Sequence, residues 1–81
     1  MYKVKSVVPC ADMRLSVVFD NGTEKIYDVQ QLYRMFPQFK ELEKSPDLFE
    51  QVKVDAGGYG ISWNDELDLA CDELWDNGTS C

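Results

Sequence analysis

The clearest order along the chain lies in "MRLSVVFDNGTEKIYDV", where apolar and polar positions alternate on both sides of Asn21-Gly22. That pair predicts a two-residue type I′ turn, in which both central residues need positive φ. The turn sets a register of Phe19 with Glu24, Val17 with Ile26 and Leu15 with Asp28. Leu15, Val17, Phe19 and Ile26 then share one face, and Arg14, Ser16, Lys25 and Tyr27 share the other. Upstream, Lys3 to Val8 also alternates and predicts a strand, with Val4, Ser6 and Val8 on one side.

The period changes at Asp28. Val29, Leu32, Tyr33 and Phe36 follow i, i+3, i+4, i+7 spacing, an apolar helical stripe. Asp28 suits its N-cap, with Gln31 as the capping-box partner. Pro37 disfavours helical geometry at Phe36, so this helix should be short. In "FKELEK", Phe39 and Leu42 read as inward anchors. Ser45-Pro46-Asp47 predicts a second brief helix, with a hydroxyl cap, proline in the first turn and an acid near the positive dipole end. Its buried side would be Leu48, Phe49 and Val52.

Val52 and Val54 open a further strand, which reverses at the glycine-rich "DAGGYG". Ile61 and Trp63 alternate inward on the return, and Leu67 and Leu69 continue a short extended piece. "CDELWDNG" closes the pattern as one or two helical turns with Leu74 and Trp75 docking and Gly78 at the end. Ala70 occupies the place where a capping box would want Ser or Thr. There is no internal repeat or linker. The pattern predicts one α+β domain over residues 1–81: a small antiparallel sheet built from hairpins, with short helices packed on one face.

Charge adds what the pattern does not show. Residues 1–53 carry all eight Lys and Arg against eight acids, and so sum to zero. Asp55, Asp65, Glu66, Asp68, Asp72, Glu73 and Asp76 follow with no base among them, so the whole net charge of −7 lies in the last third. Binding to nucleic acid or anionic lipid draws on Lys and Arg to displace counterions, and this third has neither. A field of this sign repels a phosphate backbone and speeds encounter with a basic partner. The expectation is no direct contact with nucleic acid or membrane.

Candidate chemistry is thin. With no histidine in the chain, the commonest general base near neutral pH is missing, and so is any Ser-His or Cys-His nucleophile pair. The "AGGYG" loop lacks the GxxxxGK context of a phosphate cradle and reads as a hairpin turn. Cys10, Cys71 and Cys81 are an odd set without a CxxC pair, which predicts reduced thiols and not a disulfide framework. Asn21 and Asn77 each begin an Asn-Gly-Thr triplet, read first as a turn signal. The start has no apolar signal-peptide core, and no run is long enough to span a bilayer, so a cytoplasmic protein is expected. If residues 68–76 were helical, Asp68, Asp72 and Asp76 would form a row of oxygen ligands, yet a row is not a cage and the EF-hand pattern is absent.

The order "FDNG…YDV…F…V.VD….I.W…LDL…EL" resembles a small bacterial family, domain-of-unknown-function family 2442. The likeness runs from Val7-Val8-Pro9 through Phe19-Asp20-Asn21-Gly22, Asp28-Val29, Phe49, Val52 to Asp55, Ile61 and Trp63 to Leu67-Asp68-Leu69. Many members carry W-P-N-G where this chain reads Trp63-Asn64-Asp65-Glu66, so that loop should differ in shape and carries more charge. The resemblance implies a small α+β fold with an antiparallel sheet, no established activity and no catalytic residues. Similar proteins stand alone or are fused to a helix-turn-helix, often encoded beside another small protein (family 4160), which suggests a partner or antitoxin-like module.

The functional expectation is a non-enzymatic protein-interaction module without cofactor. Its acidic C-terminal surface, Asp65, Glu66, Asp72, Glu73 and a partly exposed Trp75, docks a basic bacterial protein. The alternative is an accessory enzyme or divalent-metal-binding domain using the same carboxylates. A third expectation is a homodimer through a strand edge, the acids serving only solubility.

Overall fold

The computed structural model describes residues 2–80, and Cys81 lies outside them. Two antiparallel sheets share one core. The first has the order β1-β2-β3-β7, from β1 (Val4–Cys10), β2 (Arg14–Phe19), β3 (Glu24–Asp28) and β7 (Thr79–Ser80). The second is β4 (Lys53–Val54), β5 (Gly60–Ser62) and β6 (Asp68–Ala70). Between them in sequence come 3-10 turns at Val29–Leu32 and Pro37–Lys40, then α1 (Glu41–Lys44) and α2 (Pro46–Phe49). Helix α3 (Cys71–Asn77) packs against β3, β5 and β6 and so bridges the two sheets. The α+β class is as the pattern predicts; the single sheet is in fact two.

The β2–β3 hairpin forms in a register one residue away from the predicted one. Leu15 pairs with Tyr27, Val17 with Lys25 and Val18 with Glu24. The cause is the turn. Gly22 N–H donates to Phe19 O at 2.9 Å and Phe19 N–H to Thr23 O at 2.8 Å, while Gly22 alone in the turn takes a positive φ, +90°. This is a three-residue connection closed by a left-handed glycine, not the type I′ turn, which needs positive φ at Asn21 as well. A slip of one residue exchanges the faces of a strand. Tyr27 therefore turns inward and is fully buried, and Ile26 moves to the outer face.

A similar correction applies to β1. A bulge between Val4 and Ser6 shifts its alternation, so Val4 and Val7 face the core, whereas Ser6 and Val8 are exposed. Lys3 and Asp20 clamp this strand to the hairpin tip: Asp20 N–H donates to Lys3 O at 2.8 Å, and Lys3 N–H to Asp20 Oδ1 at 3.2 Å.

The apolar stripe after Asp28 winds as a 3-10 turn and stops sooner than the spacing suggests. Asp28 Oδ1 caps it by accepting Gln30 N–H at 2.9 Å, and Gln31 Nε2 donates to the Asp28 carbonyl at 2.8 Å. Phe36 leaves helical geometry before Pro37, with φ −133° and ψ 76°. Val29 and Leu32 are buried, Tyr33 half-buried, and Phe36 is left at the surface. Phe39, Leu42 and Phe49 are buried as their spacing predicts. Ser45 precedes α2, but its hydroxyl makes no capping hydrogen bond.

The second sheet closes the core with Ile61, Trp63, Leu67 and Leu69. Trp63 is buried and its Nε1 donates to Phe49 O at 3.1 Å, which fixes α2 against this sheet. Asp55 holds the β4–β5 reversal, accepting from Ser62 Oγ at 2.6 Å while its N–H donates to Gly60 O at 2.9 Å. At Gly60 a Cβ would collide with the Leu69 carbonyl, so only glycine lets β5 and β6 approach this closely. Helix α3 starts without a side-chain cap at Ala70, as expected. Its end is unexpected: Gly78 is extended, at φ −80° and ψ 156°, and hands the chain to β7 on the edge of β3.

Candidate functional site

The acidic residues are displayed by the β5–β6 loop, β6 and α3. In the loop, Asn64 Oδ1 accepts from both Glu66 N–H and Leu67 N–H at 2.9 Å, and Trp63 N–H donates to Leu67 O at 2.9 Å. Asn64 thus folds the turn from within and leaves Asp65 and Glu66 in solvent. Asp68 on β6 and Asp72 and Asp76 on α3 are also exposed. The helix begins at Cys71, so Asp68 sits on a strand and the three aspartates do not form one helical row. Among the described residues no three acids or cysteines are grouped to hold a metal ion.

Glu73 and Trp75 differ from the other predicted site residues in being half-buried and already engaged. Two positions along a helix separate side chains by about 200°, and each meets a different neighbour. Glu73 Oε2 accepts the Tyr27 hydroxyl at 2.7 Å. Burial first, then this carboxylate, pushes the Tyr27 phenol far above its ordinary range. Trp75 stacks on Tyr2, with centroids 3.8 Å apart, and meets Phe19 edge-on at 4.9 Å. Lys25 places its ammonium 4.3 Å from the Trp75 ring centre and donates to the Trp75 carbonyl near the end of α3. Trp75 is thereby a pin between α3 and the first sheet.

Cys71 is buried, and its thiol donates to Tyr2 O at 3.2 Å. Burial, then the Asp72 and Asp20 charges, raises its pKa, so it stays a thiol. Cys10 is exposed.

Beside α3 lies a groove whose apolar residues the sequence pattern assigned to the core and the helical stripe, not to a site. A hollow of about 340 Å³ has Leu32, Phe39 and Leu69 on its floor, Phe36 as a wall and Glu66, Asp68 and Glu73 around it. A second hollow of about 450 Å³ adjoins it past Leu32, Phe36 and Glu73. Of the predicted set, the structure brings Glu66 and Glu73 together here; Asp65, Asp72 and Trp75 lie outside the lining. The signal for Phe36 was Pro37, which halts the helix and leaves the ring without cover.

The family model described as "Protein of unknown function (DUF2442)" matches residues 4–80. No curated protein matches the chain. A crystal structure from Nitrosomonas europaea, called a "Putative DNA Binding Protein", superposes with a TM-score of 0.77 at 22% identity, over 95% of this chain and 48% of that one. The present chain spans about half the length of that protein, and the likeness establishes the shared fold. No helix among the described residues is long and apolar enough to cross a membrane. With nearly its whole length covered by the family model, and an α+β fold to match, the chain belongs to the DUF2442 family of proteins of unknown function.

Proposed function

We propose that this protein is an interaction module that docks a basic protein partner through the acidic surface formed by the β5–β6 loop and α3. The observation that carries the reading is the confinement of the net charge of −7 to one end of the sequence, with Asp65, Glu66, Asp68, Asp72 and Asp76 all in solvent. A single-sign surface steers an oppositely charged partner and rejects like-charged ones. Catalysis is not part of this reading. An antitoxin that covers the basic nucleic-acid-binding surface of its partner is one form of it.

The name of the Nitrosomonas europaea protein favours a second reading, in which the domain works within or beside a DNA-binding unit. Here the domain supplies the regulatory contact, and phosphate binding falls to other residues, because its acidic end repels a phosphate backbone. Capture from host lysate at low and moderate salt tests the first reading. One stoichiometric basic protein whose yield falls with salt supports it, and a blank at both salts overturns it. Retention of duplex DNA by this chain alone would contradict both.

A further inference from the structure

We infer that the groove between Phe36 and α3 is the seat of the interaction, and that its occupant is a cationic segment of the partner carrying one apolar anchor. The inference rests on the docking function proposed above and locates it. Leu32, Phe39 and Leu69, each no more than 6% exposed, make an apolar floor. Phe36, at 45%, and Met35, at 77%, stand exposed beside it. Large apolar side chains grouped at a concavity are the usual form of an anchor pocket.

Charge selects the occupant. Glu66, Asp68 and Glu73 border the groove, and no Lys or Arg is among the described residues lining either hollow. An apolar anchor flanked by Lys or Arg satisfies floor and rim together. A nucleic acid would set phosphates against three carboxylates, and a second copy of this chain would bring its own acidic excess. Gln38 on one hollow and Gln31 and Asn77 on the other offer polar contacts along the groove. The Tyr27 hydroxyl holds Glu73 at 2.7 Å, so this carboxylate is positioned before any partner arrives.

The test uses the 81-residue chain labelled with nitrogen-15 and three synthetic peptides: a Lys-rich peptide with a central Leu-Phe pair, the same peptide with that pair replaced by Ser, and an acidic peptide with the pair retained. Amide shifts are followed at two salt concentrations. The first peptide is expected to shift the amides of Phe36, Phe39, Leu69 and Ala70, less at higher salt, and to bind at least about tenfold more tightly than either other peptide. Phe36→Ala, at an exposed site that should leave the fold intact, and Glu66→Lys with Asp68→Lys should each weaken it about tenfold; Asp72→Lys, outside the lining, should have a smaller effect. If both cationic peptides bind equally and shift Asp72 and Asp76 but not the groove, the groove assignment falls while the acidic docking surface stands. If neither cationic peptide binds, both fall.

Discussion

Tyr27 donates its phenolic hydrogen to Glu73 Oε2 across 2.7 Å, joining the centre of the first sheet to the helix that bridges both sheets. The ring is fully buried, and among the described residues its hydroxyl finds Glu73 as its acceptor. A hydrogen bond to a charged partner contributes more than a neutral one.

Removing that bond should be measurable. Tyr27→Phe keeps the ring and is expected to lower stability by about 1–2 kcal/mol in urea denaturation. The raised phenol pKa also gives a sign. Its stabilisation is complete below the unfolded tyrosine value of about 10 and is lost as pH rises beyond it. Tyr33 is raised as well, by burial and then by Glu43, and acts in the same direction. Stability should therefore fall above about pH 10, and the fall should be shallower in Tyr27→Phe.

Tyr33 provides the contrast. Its buried hydroxyl has no hydrogen-bond partner among the described residues, and the nearby Glu43 carboxylate acts on it through its charge. Tyr33→Phe removes an unsatisfied polar atom, and its midpoint in urea should equal or exceed that of the wild type, by up to about 1 kcal/mol.

Gly60→Ala should be among the more damaging single-methyl additions. The added Cβ meets the Leu69 carbonyl, part of the rigid β5–β6 pairing. A loss of about 2–3 kcal/mol is expected, with the largest amide shifts in β5 and β6.

Thiol reactivity should separate two cysteines. In a Cys81→Ser background, Cys10 should react with a chromogenic disulfide at once, being exposed. Cys71, buried and held in thiol form, should react only at the rate of unfolding. Rapid modification of both would show that α3 opens away from Tyr2.

Much of the fold was legible in the sequence because it rests on local signals. Asp28 starts a turn, Pro37 ends one, Asn21-Gly22 marks the hairpin tip, and Ile61, Trp63, Leu67 and Leu69 alternate inward, all visible in a few residues each. What was not legible depends on distant partners. The one-residue shift of β3 follows from a glycine conformation and from burial of Tyr27, whose hydroxyl finds Glu73 only once the chain has folded. The β1 bulge and the β7 edge strand likewise have no local mark. At the candidate site, charge pointed to Glu66 and Glu73. Trp75, expected to face a partner in part, is committed to Tyr2, Phe19 and Lys25, and the groove wall at Phe36 came from a helix that stopped early.

The docking claim is most directly tested by parallel capture from host lysate with the wild-type protein and an Asp65→Lys, Glu66→Lys, Asp72→Lys variant, at low and moderate salt. The three positions are exposed, so the variant should fold as the wild type does. One basic protein is expected at stoichiometric yield on the wild type at low salt, less of it at moderate salt, and none on the variant. The same protein captured equally by both, or nothing captured by either, would contradict it.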